Sequence, residues 1–111
     1  IKENTMLKIK GVNKINKYEN IIMILCQYYE VNYEEFNKLL KKREKSYLTV
    51  LLMKKFRCLN SEGLKEKLGI ISNRSLHYKI KIAEEKILIN KKFRDEYFEL
   101  EEKIKENLKN A

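Results

Sequence analysis

From Tyr18 onward, apolar residues recur at helical spacing. Tyr18, Ile21, Ile22, Leu25 and Tyr29 share one stripe, which predicts an amphipathic helix ending near Glu30. Val31 and Asn32 interrupt the pattern. Tyr33, Phe36, Leu39 and Leu40 then predict a short second helix, with Glu34 and Glu35 in the first turn, where carboxylates complement the helix dipole. A third helix, over roughly residues 44–57, carries Tyr47, Leu48, Val50, Leu51, Leu52, Met53 and Phe56. That arc is too wide for a helix buried on one side only, so this helix is the expected centre of the core. Lys54, Lys55 and Arg57 crowd its last turn, where the dipole favours cations whatever the partner.

Residues 61–89 form the stretch around which the rest is arranged. Asn60 or Ser61 is the predicted cap of a fourth helix, with Glu62 in its first turn, Leu64 and Leu68 facing inward, and Leu59 packed beneath the preceding turn. Gly69 supplies the left-handed conformation that closes it. Ile70 and Ile71 make an apolar turn, and Ser72 is the predicted N-cap of a long fifth helix. At about 100° per residue, Leu76, Ile80, Ala83 and Ile87 fall within about 60° of one another and form its core face. Arg74, Tyr78 and Lys81 lie opposite, with Asn73 and His77 to one side.

Two helices joined by a tight turn make a helix-turn-helix, whose second helix keeps one stripe buried while its first turns offer donors to a groove. Arg74 suits guanine edges or phosphate, Asn73 suits bases, Tyr78 suits phosphate or stacking, and Lys81 suits phosphate. Ser72, Ser75 and His77 belong to the same end of the helix. Glu84 and Glu85 then confine the expected contact surface to residues 72–81.

Past Asn90, Lys91 and Lys92, a sixth helix is marked by Phe93, Tyr97, Leu100, Ile104 and Leu108. Its charges alternate and cancel, so it is a packing or pairing element: the stripe serves either its own core or a homodimer formed through this C-terminal helix. Residues 1–16 show no clear periodicity and read as an arm or linker. The expected architecture is all-α, a single bundle of about six helices over residues 17–111 that contains the helix-turn-helix. Absent proline and three glycines agree with it, since strands need more turn residues.

Charge changes this picture from a bundle to a bundle with a partner. The formal net charge is +9, but residues 1–37 and 91–111 each balance to zero. Residues 38–57 hold eight Lys or Arg against Glu44 alone, a local excess of +7, and residues 61–90 add +2. Such asymmetry points to an anionic partner, with nucleic acid foremost. The run Lys41-Lys42-Arg43-Glu44-Lys45 reads as a basic connection beside the helix-turn-helix, with Lys42, Arg43 and Lys45 placed for phosphates.

Other chemistry is thin. Cys26 and Cys58 are isolated and His77 is the one histidine, so free thiols are expected, with no disulfide framework, metal site or cofactor. His77 lacks an acidic or thiol partner on its own face and no glycine-rich phosphate loop occurs, so catalysis by this chain alone is not expected. The apolar runs are too short to cross a bilayer and no signal peptide is evident, which gives a cytoplasmic expectation without membrane contact. The chain opens at Ile1 without an initiator methionine, so a piece of a longer protein is expected.

The order of features over residues 28–105 resembles the C-terminal DNA-binding domain of the bacterial replication initiator DnaA, in the Trp-repressor-like helix-turn-helix group. Tyr28-Tyr29-Glu30-Val31 followed by Tyr33-Glu34-Glu35-Phe36 is similar to the family's tyrosine-ended helix and acidic second helix. Lys41-Lys42-Arg43-Glu44-Lys45 stands at its basic loop, Leu64, Leu68 and Gly69 at the end of its first motif helix, and residues 93–101 at its closing helix. The family signature Gly-Arg-Asp-His-Thr-Thr-Val stands here as Ile70-Ile71-Ser72-Asn73-Arg74-Ser75-Leu76. Its length is kept and its Arg-Asp-His reading group is replaced, so the resemblance implies a looser relative, of the kind found in transposase-related and regulatory proteins, and not an origin-box reader.

Two functions follow. The first is sequence-selective binding of double-stranded DNA, in replication, transposition or transcription control. The second is a helical protein-interaction or dimerisation module whose basic face is incidental.

Overall fold

The computed structural model describes residues 17–109, which contain six α-helices and no strand. They are α1 (Lys17–Tyr29), α2 (Tyr33–Leu39), α3 (Arg43–Lys55), α4 (Leu64–Lys67), α5 (Asn73–Ile89) and α6 (Lys91–Lys109). The all-helical expectation is met. The arm expected over residues 1–16 lies outside the described residues.

α3 is the centre, as its wide apolar arc requires. Leu48, Val50, Leu51, Leu52 and Met53 are buried, and so are Ser46 and Thr49 on the remaining sides. α5 and α6 pack against α3 and against each other, α1 packs on α6, and α2 packs on α1. Each added helix closes a different side of α3 or its neighbours. Phe36 anchors α2 with its ring wholly buried, worth about 1.5–3 kcal/mol against leaving it in water. Tyr33, expected on the inward stripe, is instead exposed at the rim and holds Lys67 Nζ 4.2 Å from its ring centre. α2 has only seven residues, and Phe36 with the C-cap residue Leu40 fills its inward side in place of the Tyr33 ring.

The α6 stripe is used within the chain. Phe93, Leu100 and Ile104 are buried against α1, α3 and α5, with Tyr97 and Leu108 half-buried beside them. Pairing through this stripe would have to expose these side chains first.

Helix ends explain where the sequence-based boundaries move. Asn32 caps α2 through a reciprocal pair, its side chain accepting from Glu35 N–H at 2.7 Å while Glu35 Oε1 accepts from Asn32 N–H at 2.8 Å. The basic connection proves shorter than expected because α3 already begins at Arg43; Arg43, Glu44 and Lys45 are good helix formers and join its first turn. Predicted capping by Asn60 or Ser61 does not occur. The residue before α4 is Gly63, left-handed at φ +88° and without a side-chain cap, and α4 is a single turn. The cause is the end of α3: Arg57 turns left-handed at φ +62°, and Cys58 N–H reaches back to Met53 O at 2.7 Å. That reversal buries Cys58 and spends the next residues on turns before Leu64 re-enters the core.

The same closure ends α4 with the residue suited to it. Gly69, at φ +70°, donates to Glu66 O at 3.1 Å, and Ile70 donates to Lys65 O at 2.7 Å. Arg57 adopts this conformation with a side chain attached, at a cost of about 1–2 kcal/mol. Arg57→Gly should therefore stabilise the fold by about 0.5–1 kcal/mol once the greater freedom of an unfolded glycine is offset. Denaturant midpoints would check this; an unchanged or lower midpoint means the exposed Arg57 side chain makes contacts of equal worth.

Candidate nucleic-acid interface

α5 presents its first turns because its cap and core stripe fix its direction and rotation. Ser72 is extended at φ −150°, and its Oγ accepts from Ser75 N–H at 3.1 Å, so this serine is a cap in use. Leu76, Ile80 and Ala83 are buried as expected, with Ile87 half-buried. α5 lies chiefly on α3, and Arg43 and Tyr47 at the start of α3 sit beside the outward flank of α5.

Between them opens a cleft of about 780 Å³, lined on one side by Arg43 and Tyr47 and on the other by Ile71, Arg74, Ser75, Tyr78 and Lys79. Of the residues predicted for DNA contact, the fold brings Arg43, Arg74, Ser75 and Tyr78 together here. Lys42 is exposed immediately before Arg43, as the N-cap of α3 without a side-chain cap bond. Asn73, His77 and Lys81 are exposed on the neighbouring strip of α5, outside the cleft. His77 Nδ1 lies 2.9 Å from the Asn73 carbonyl oxygen one turn back.

Lys45 is taken away from this group. Its Nζ donates to Glu96 at 2.8 Å and lies 4.7 Å from the Tyr29 ring centre, facing α1 and α6. Two residues along a helix is a turn of about 200°, so Arg43 and Lys45 cannot serve one surface. The +7 segment divides in the same way. Lys54 pairs with Glu84 at 2.6 Å and Lys55 with Glu101 at 3.4 Å, at the far end of α3.

Lys79 and Tyr47 are the members that sequence reasoning missed. Tyr47 packs half-buried against the core, as its place in the apolar arc predicts, and it also stands one turn after Arg43 and forms the cleft wall, with Lys79 Nζ 4.9 Å from its ring centre. The spacing of four between Arg43 and Tyr47 was a usable signal. Lys79 lies between the core stripe and the exposed strip, where a wheel alone does not decide exposure. Burial lowers its pKa, and the like charge of the Arg43 guanidinium lowers it further. Among the described residues no carboxylate forms an ion pair with Arg43, Arg74 or Lys79. The chemistry left open at the cleft is that of an anion with planar or apolar parts: guanidinium, ammonium, hydroxyl and two phenol rings side by side.

The contacts that remove Lys45 form a clasp on the other side of the bundle. Tyr29 donates its hydroxyl to Glu96, and Tyr28 donates to Glu99 Oε1 at 2.9 Å. Burial and the Glu99 bond push Tyr28 up to about 12, and burial and Glu96 push Tyr29 higher still. Burial raises Tyr18 and Tyr97 to about 12 as well. These phenols ionise more readily unfolded, near the ordinary value of 10.0. Their contribution to stability is therefore whole below pH 10 and is lost as pH rises toward 12. Alkaline titration should show phenolate absorbance and loss of helicity rising together above pH 10; full ionisation near pH 10 with helicity intact would show that these hydroxyls are not held.

Among the described residues no helix is long and apolar enough to cross a membrane, and no cluster of three or more His, Cys, Asp or Glu side chains is placed to hold a metal ion. Cys58 is buried and Cys26 half-buried, both free. No family model, curated protein or solved structure matches this chain.

Proposed function

We propose that the chain binds double-stranded DNA in a sequence-selective way, with the first turns of α5 in the major groove and the start of α3 on the backbone. The observation that carries this is the cleft: Arg43, Arg74 and Lys79 gather around it without an acidic partner among the described residues. Burial and the Arg43 charge both work against the Lys79 ammonium, and an anion bound in the cleft would offset both. Phosphates fall to Lys42, Arg43, Lys79 and Lys81, and base edges to Arg74, with Asn73, His77 and Tyr78 alongside. A domain organised like that of DnaA belongs to the same proposal.

Binding to a duplex followed across salt concentrations tests it. If about four phosphates are neutralised, log affinity should fall against log salt with a slope of roughly −3 to −4. A flat response, or no enrichment of any sequence from a random duplex library, would leave the proposal without support.

A further inference from the structure

Ile71 is 94 % exposed, whereas Ile70 beside it is 6 % exposed. The turn has therefore placed one isoleucine in the core and offered the next to solvent. Ile71 stands two residues before the start of α5 and lines the same cleft as Arg43, Arg74 and Tyr78. Whatever fills that position meets an aliphatic side chain with guanidinium groups around it. An occupant apolar at one point and anionic around it satisfies both. In the major groove only thymine presents a methyl group, and phosphates flank every base, so B-form DNA meets the requirement. Double-stranded RNA does not, because it lacks the methyl and its major groove is too deep and narrow for side chains to read.

We propose that Ile71 seats against the C5 methyl of a thymine, so that the interface selects a thymine beside the base pair reached by Arg74. This rests on the DNA-binding reading of the same cleft. It adds what that reading leaves open, the chemical identity of one selected base.

The test uses the whole chain and the duplex enriched from a random library, with each thymine replaced in turn by deoxyuridine, which differs only by the methyl. At one position the replacement should weaken binding about fourfold, the worth of one methyl removed from water. Ile71→Ser should bind the thymine and deoxyuridine duplexes equally while keeping the salt slope. Because Ile71 is exposed, this variant should also keep its melting temperature. Binding that is salt-dependent and sequence-selective but indifferent to every thymine methyl overturns the Ile71 assignment and leaves DNA binding standing. A methyl preference that survives intact in Ile71→Ser overturns it too. No binding to any duplex overturns the DNA-binding reading and this assignment together.

Discussion

Ile104→Asp should leave the chain unfolded in dilute buffer. Ile104 is wholly buried on α6, in the layer that packs on α1, α3 and α5. Losing its aliphatic contacts costs about 2–5 kcal/mol, as in other large-to-small core changes. A carboxylate without a partner at that depth adds several more, either as desolvation or as the work of keeping it protonated. Together these approach the whole stability of a domain this size, about 5–15 kcal/mol. Far-ultraviolet circular dichroism and a denaturant curve would show it, with exposed Glu106→Gln as a control that should change little. A folded Ile104→Asp protein that differs only in oligomeric state would return the α6 stripe to the role of a pairing surface.

Arg74→Ala should weaken binding to the selected duplex by about 1–3 kcal/mol and relax preference at one base pair, if the guanidinium makes a bidentate base contact. Arg43→Ala should act differently. It should weaken all duplexes alike and lower the salt slope by about 1, the behaviour of a phosphate contact. Lys45→Ala separates the surface drawn from sequence from the one the fold builds. Its ammonium faces Glu96 and Tyr29, so it should cost about 1–2 kcal/mol of stability and leave the salt slope unchanged. Equal loss of affinity in Arg43→Ala and Lys45→Ala would mean that both lysine and arginine reach the backbone and that the clasp opens on binding.

Elements with strong periodicity were legible because burial follows the helix repeat wherever a face is fully covered. The stripes of α1, α5 and α6, the wide arc of α3, the Ser72 cap and the left-handed Gly69 are all in place. Weak signals mislead where a neighbour decides the outcome. Asn60 and Ser61 look like caps, but Arg57 had already reversed the chain and left Gly63 to start α4. Tyr33 has the spacing of a core residue, yet Phe36 and Leu40 fill the space available to α2.

Sequence by itself determined the all-helical class, the core faces of the long helices and the polar first turns of α5, since each depends on periodicity within one segment. Which charges share a surface was decided only by the tertiary structure. Residues 41–45 are contiguous in the chain, but helical rotation turns Arg43 toward α5 and Lys45 toward α6. Tyr47 and Lys79 meet across two helices far apart in sequence, and Glu84, Glu96 and Glu101 occupy three of the lysines that the charge count left free. Electrostatic pairing acts through space over a few ångströms, and a one-dimensional count of charge contains no such distance.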